Sequence, residues 1–436
     1  MPPTADPLPI RPLPPGGVPD SVVRVPGSKS LTNRALVLAA LASGRSLLRG
    51  ALFSDDTWAC MEGLRALGVP AQGDEQARCV TVQGQGGGPP AREAYVDVRL
   101  SGTTARFLCP YMALGRGRYH VDGTARMRLR PMGAVWDTLR AQGVDIDGGP
   151  NLPFTIRGAG ALRGGYIRIA GGETSQPASG MLMVAPYAER DTLLEVETHR
   201  AALPYVAMTA RLMESFGVEC AQGEDGTFSV RAGGRYRAGE YAIEPDASAA
   251  AYFWALAALS GCSVHTPGIG RSRLQGDAAF LGVLERMGCQ VQDRGGALVC
   301  GPEGGHLRAV DEDMSALSDQ ALTLGVLGLF ADGPTTVRNV SHIRLQETDR
   351  IAAATAELRR LGTRCVERPD GFVVWPLPAA DTFGEVTIET YGDHRMAMAF
   401  ALAGLRRPGV RIADPGCVGK TFPEYFDVLG GVLGPS

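Results

Sequence analysis

Met61-Glu62-Gly63-Leu64-Arg65-Ala66-Leu67-Gly68-Val69 reads as the last turns of an amphipathic helix, a glycine and the start of a strand. Glycine just past a helix takes the left-handed conformation cheaply and so marks a C-terminal cap. The phrase returns as Trp136-Asp137-Thr138-Leu139-Arg140-Ala141-Gln142-Gly143-Val144-Asp145-Ile146, and again as Leu212-Met213-Glu214-Ser215-Phe216-Gly217-Val218. Two more copies end at Gly288 and Gly362, so the five glycines stand 75, 74, 71 and 74 residues apart. A chain of 436 residues holds roughly six units of that length, the last helix falling near residues 425–433. The period is too long for a solenoid repeat, so each unit is a sizeable module of strands and helices, and three units per lobe predict two similar lobes. Val96-Asp97-Val98-Arg99-Leu100, Tyr166-Ile167-Arg168-Ile169 and residues 21–25 are predicted strands, and the lobes should part near residues 241–246.

Bulk composition agrees with this size. One core cannot serve 436 residues, which predicts two domains. A hydrophobic content of 44% and a charged content of 20% are those of an ordinary soluble globular chain. The net charge of -3, with no basic tract, argues against nucleic acid as a partner. No apolar stretch is long enough to span a membrane. The nine cysteines are scattered without a Cys-x-x-Cys pair, which fits neither a zinc site nor a disulfide framework and predicts reduced thiols in a cytoplasmic setting. The first twenty residues hold eight prolines and no charged-then-apolar pattern of a signal peptide, and are expected to form a flexible arm.

Cations recur where predicted helices begin. Lys29 stands before Ser30-Leu31-Thr32-Asn33-Arg34, Arg130 before Pro131, Arg350 before Ile351, Arg395 before Met396, and Lys420 before Thr421-Phe422-Pro423. A cation at a helix N-terminus is disfavoured by a few tenths to about 1 kcal/mol, whereas the free N–H groups there bind anions. Five such placements predict a site for a highly charged anion. Pro26-Gly27-Ser28-Lys29-Ser30 is not a nucleotide P-loop, because Val22 occupies the place of its first glycine. Gln83-Gly84-Gln85-Gly86-Gly87-Gly88-Pro89-Pro90 reads as a surface loop. Ser101-Gly102-Thr103-Thr104 and Thr174-Ser175-Gln176-Pro177 open helices, where hydroxyls either cap or bind phosphate. Asp319 reads either as a plain cap or, among cations, as a general base. Asp246 reads as a cap, and Glu347-Thr348-Asp349-Arg350 and Asp393-His394-Arg395 as local ion pairs or as parts of the anion site.

Taken together, residues 26–35, 102–106, 126–131, 174–176, 246–249, 347–350, 391–398 and 420–425 resemble the 5-enolpyruvylshikimate-3-phosphate synthases of the enolpyruvyl transferase family, in the family's order and across nearly the whole chain. The resemblance implies an α/β fold of two similar lobes, each of three βαβαββ repeats (an inside-out α/β barrel), with a cleft between them. The first lobe would span 28–246 and the second 1–27 with 247–436, the Pro-rich arm lying at 1–20. It implies transfer of the enolpyruvyl group of phosphoenolpyruvate to the 5-hydroxyl of shikimate 3-phosphate, with no metal or organic cofactor, by a cytoplasmic monomer. Phosphoenolpyruvate would be held by Lys29, Gly102, Arg126, Gln176, Arg350, Arg395 and Lys420. Shikimate 3-phosphate would be held by Lys29, Ser30, Arg34, Thr174, Ser175, Gln176, Tyr205, Asp319, His342 and Gln346. Asp319 would take the hydroxyl proton, and Glu347 or Lys29 would protonate the methylene, with Asp56 in support. Four positions depart from the family: Leu100 for Asn, Ala202 for Ser, His342 for Asn and Gln346 for Lys. The acceptor side is the altered one, so the alternatives are a different hydroxylated acceptor or a non-catalytic anion-binding homologue. The sister enzymes acting on UDP-N-acetylglucosamine carry a cysteine in the loop matching residues 122–130, which has none here.

Overall fold

The computed structural model describes residues 5–15, 17–169, 174–197, 203–223, 225–272, 274–378 and 384–434. The chain divides into two compact units, Gly27–Glu244 and the pair Met1–Pro26 with Pro245–Ser436. No helix among the described residues is long and apolar enough to cross a membrane.

Each unit is built around three helices that are buried on nearly every side. Helix Lys29–Leu41 is buried at every position from Leu31 onward, and helix Gly102–Ala113 along its whole length. With Gln176–Val184 they pack pairwise as the centre of the first unit. Ala247–Ser260, Ala321–Gly328 and His394–Arg406 do the same in the second. Sheets and amphipathic helices cover these.

Each described sheet starts with a parallel pair and continues antiparallel. Glu93–Asp97 runs parallel to Arg118–Asp122, which pairs antiparallel with Phe154–Arg157, and that with Asp145–Asp147. Gly165–Ile169, Thr192–Val196, Thr227–Val230 and Ala221–Gln222 repeat the order, as do Asp311–Asp313, Thr335–Arg338, Gly371–Val374 and Cys365–Arg368. The first unit completes its opening sheet with its own last strand, Glu240–Ala242, which lies parallel to Ser43–Arg49. The second unit borrows from the chain start: Ser21–Val22 pairs with Ser263–Pro267, and Leu8–Pro9 with Val410–Ile412.

The outer helices end as the glycine spacing predicts. Gly68, Gly143, Gly217, Gly288 and Gly362 have φ of +86°, +88°, +88°, +101° and +98°. Gly68 donates to the carbonyl of Arg65 and Val69 to that of Leu64, and Gly143 with Val144 repeats the pair on Arg140 and Leu139. This is the double bond of a Schellman cap. Gly434, 72 residues past Gly362, has φ +78° after helix Tyr425–Val432.

Three local expectations need correction. The N-terminal arm is pinned along its described residues: Ile10 is buried against Gly404, its N–H donates to Val410, and the N–H of Leu13 donates to Leu405. Proline stiffens a chain into extended geometry and suits an edge strand, so its abundance there was a sign of order. The strand expected over 96–100 is Glu93–Asp97, because Asp97 accepts from the Arg99 N–H and Arg99 turns left-handed at φ +52°. The strand expected over 21–25 ends at Val22.

Candidate active site

In the first unit the inner helices begin at positions expected to bind substrate. Ser28 caps helix Lys29–Leu41, its Oγ accepting from the Leu31 N–H, and a Cβ on Gly27 would lie 1.8 Å from the Gly50 carbonyl oxygen. Lys29 therefore opens the helix against the macrodipole. Its Nζ lies 3.4 Å from Oδ2 of the buried Asp56. That carboxylate offsets the unfavourable placement.

One turn on, Arg34 is 2% exposed. Its Nε donates to Thr209 Oγ1 at 2.7 Å, Nη2 to Ser179 Oγ at 3.1 Å and to the Tyr205 carbonyl at 3.2 Å, and Nη1 to the Ser30 carbonyl at 2.9 Å. The Phe107 ring lies 5.0 Å from its Cζ. Burial pushes the guanidinium down to about 10, which leaves it charged at neutral pH.

Ser101 caps the second inner helix, with its Oγ 3.2 Å from the Thr104 N–H. Gly102 has two guanidinium groups over it: a Cβ there would sit 2.5 Å from Arg106 Nη1 and 2.9 Å from Arg130 Cζ. Arg106 donates to Gln176 Oε1 at 2.7 Å and to the Pro131 carbonyl at 2.6 Å. Gln176 Nε2 donates to Thr103 Oγ1 at 3.2 Å, and its own N–H reaches Thr174 Oγ1 at 3.3 Å. Ser175 is buried beside it. Arg130 Nη1 donates to the Leu100 carbonyl at 3.2 Å, a main-chain bond that the leucine side chain does not affect. Arg126 is exposed on the short helix Ala125–Arg128.

The second unit gathers three cations and three carboxylates. Arg350 opens helix Arg350–Arg360, capped by Asp349. Its guanidinium, 2% exposed, forks onto Asp393 with Nε–Oδ2 of 2.7 Å and Nη2–Oδ1 of 3.1 Å. It also donates to Glu347 Oε2 at 3.0 Å, to Asp319 Oδ1 at 3.3 Å and to Gln346 Oε1. Burial opposes its charge, but Asp393 and Glu347 outweigh burial and raise the guanidinium above its ordinary value. Arg395 donates to Asp319 Oδ2 at 2.5 Å and to Tyr252 Oη at 3.3 Å. Burial pushes that phenol up to about 12, against the pull of Arg395. Lys420 donates to Glu347 Oε1. Both oxygens of Asp319 and both of Glu347 thus face cations.

Several expected roles change. Asp319 is not the cap of the helix that follows it: it lies in the 3-10 turn Ser315–Gln320, and Gln320 occupies the cap position without a side-chain bond. Asp393, expected in a local ion pair or as part of the anion site, is fully buried, caps helix His394–Arg406 and anchors Arg350. Lys420 ends the 3-10 turn Pro415–Lys420 rather than opening a helix, because Pro423 delays the next helix to Tyr425. It therefore sits at a carbonyl end, where a cation is favoured. Gln346, expected to bind the acceptor, bonds Arg350, which was expected to bind the donor. His342 lies in the 3-10 turn Ser341–Leu345 just ahead of it. Ala202 lies outside the described residues. The readings from sequence gave no role to Arg106, Tyr252, Thr209 or Ser179.

The family model for EPSP synthase (3-phosphoshikimate 1-carboxyvinyltransferase) matches residues 16–429. The chain is 46% identical over 411 residues to the 3-phosphoshikimate 1-carboxyvinyltransferase of Trichormus variabilis, covering 93% of this chain and 95% of that one. It is 41% identical over 425 residues to the chloroplastic enzyme 1 of Nicotiana tabacum, covering 93% and 82%. An EPSP synthase structure from Acinetobacter baumannii superposes with a TM-score of 0.79 at 24% identity, covering 96% and 97%. The enolpyruvyl transferase NikO from Streptomyces tendae does so at 0.76 and 19%, covering 96% of each chain. These two structures bear on the fold alone.

Proposed function

The chain belongs to the EPSP synthase family, and we propose from that premise that it transfers the enolpyruvyl group of phosphoenolpyruvate to the 5-hydroxyl of shikimate 3-phosphate and releases phosphate, a step of the shikimate pathway towards aromatic amino acids. The observation that carries the mechanism is the cluster of Asp319, Glu347 and Asp393 with Arg350, Arg395 and Lys420. Three positive and three negative side chains nearly cancel there. Binding phosphoenolpyruvate, with its phosphate and carboxylate, is then an exchange: the ligand's oxygens take over cations that Asp319 and Glu347 now hold.

That exchange suits the reaction. The acceptor hydroxyl oxygen bonds to C2 of phosphoenolpyruvate while C3 gains a proton. The tetrahedral adduct then loses phosphate from C2 and a proton from C3. Asp319 takes the hydroxyl proton. Glu347 and Lys29 are the groups assigned to C3. Arg350 and Lys420 face Glu347 until an anion draws them off. Lys29, Gly102, Arg126 and Gln176 join Arg350, Arg395 and Lys420 in binding the donor, arginine by forked bonds and lysine as a point charge. Ser30, Arg34, Thr174, Ser175, Gln176 and Tyr205 serve the acceptor, with Asp319 at its hydroxyl.

Phosphate release from phosphoenolpyruvate and shikimate 3-phosphate tests the reading. No release at high acceptor concentration overturns it. Donor binding without turnover would then favour a different hydroxylated acceptor, a second reading that rests on Leu100, His342 and Gln346. We also place the protein in the cytoplasm as a monomer. Its nine free cysteines support a reducing compartment, and light scattering of the purified chain checks the monomer.

A further inference from the structure

Arg34 is a buried cation whose partners are all neutral. Among the described residues it meets two hydroxyls and two main-chain carbonyls, and no carboxylate. A guanidinium buried for structure alone is normally matched by an acid, because burying an uncancelled charge is costly. Hydroxyls fix the direction of the fork and leave its charge intact. That charge remains available to an anion. Four of its bonds are made within the protein, which leaves one Nη1 hydrogen for a ligand.

The hydroxyls that hold it are themselves inaccessible. Thr209 and Ser179 are both 0% exposed. Thr209 lies in helix Leu203–Ser215, Ser179 in Gln176–Val184, and Arg34 in Lys29–Leu41. A threonine inside a helix commonly bonds the carbonyl four residues back, and Thr209 Oγ1 lies 3.0 Å from the Tyr205 carbonyl oxygen. That habit does not account for its second role. The same oxygen accepts from Arg34 Nε at 2.7 Å and lies 2.9 Å from Ser179 Oγ. Arg34 in turn bonds the main chain of Ser30 and of Tyr205. Three groups assigned to the acceptor are therefore held in register through two fully buried hydroxyls.

We propose that Thr209 and Ser179 are positioning residues for the acceptor's anionic group, acting through Arg34 by fixing its guanidinium against Ser30 and Tyr205. The proposal rests on the reading of shikimate 3-phosphate as the acceptor. Thr209→Val keeps the shape and leaves the buried Nε–H without its acceptor. Thr209→Ser restores the hydroxyl.

The test is steady-state phosphate release by the full chain, varying each substrate, for the native protein, Thr209→Val, Thr209→Ser and Ser179→Ala. Thr209→Val is expected to raise the KM for shikimate 3-phosphate on the order of tenfold. Its kcat and its KM for phosphoenolpyruvate should stay within about twofold, and Thr209→Ser should stay within about twofold of native throughout. Ser179→Ala should move the same constant in the same direction, and it carries the test if Thr209→Val does not fold. An unchanged acceptor KM in the hydroxyl-deleted variants overturns the proposal. So does an equal rise in both KM values with a fall in kcat, which would mark general loosening. A native protein that releases no phosphate overturns the reading of the acceptor instead, before any variant is compared.

Discussion

Arg34 in the first unit and Arg350 in the second are each 2% exposed, and each lies within the first two turns of a helix. Arg350 bonds three carboxylates and an amide oxygen; Arg34 bonds two hydroxyls and two carbonyls. The guanidinium is raised in the first case and lowered to about 10 in the second. Burial depth alone therefore does not say what a buried cation is for. A compensated cation adds order and exchanges partners with a ligand. An uncompensated one keeps an unspent field aimed at an anion, and carries the cost of desolvation while it does so.

The largest effect should come from the carboxylate that both Arg350 and Arg395 hold. Asp319→Asn keeps the shape and is expected to lower kcat on the order of 10²–10⁴-fold. A loss of under tenfold in phosphate release would remove Asp319 as the base and recast it as a mere partner of arginine. Next is the pair of charge deletions. Arg350→Leu strands the fully buried Asp393 and should cost about 3–5 kcal/mol of stability. Arg34→Leu strands only neutral acceptors and should cost about 1–3 kcal/mol. Urea midpoints measure both, and equal losses would break the distinction between the two arginines.

Gly102→Ala should leave stability nearly unchanged, since the atoms its Cβ would meet are ends of flexible side chains, Arg106 and Arg130. A methyl group at this donor-contact position should raise the KM for phosphoenolpyruvate about tenfold. A rise in the acceptor KM alone would move Gly102 to the other substrate. The smallest effect belongs to Gln346→Lys. A lysine cannot accept from Arg350, so the donor KM should rise about threefold. A fall in the acceptor KM would instead return position 346 to the acceptor side.

Much of the fold is legible because its signals are local. A glycine after a helix and a serine or aspartate before one each act within a few residues of themselves. Gly68, Gly143, Gly217, Gly288 and Gly362 are left-handed, and Ser28, Ser101 and Asp246 cap helices as their types predict. Composition misled at the N-terminus, where prolines were read as flexibility although Leu8–Pro9 joins a sheet more than 400 residues away.

The sequence by itself determined the repeat and the glycine-marked ends of the outer helices, because backbone geometry and amphipathic period are written in neighbouring residues. Only the tertiary structure decided what each cation faces. Arg350 meets Asp393 across 43 positions, Lys420 meets Glu347 across 73, and Arg34 meets Thr209 across 175. The charge of a side chain is fixed by its type, but whether that charge is cancelled depends on atoms brought within about 3 Å by packing.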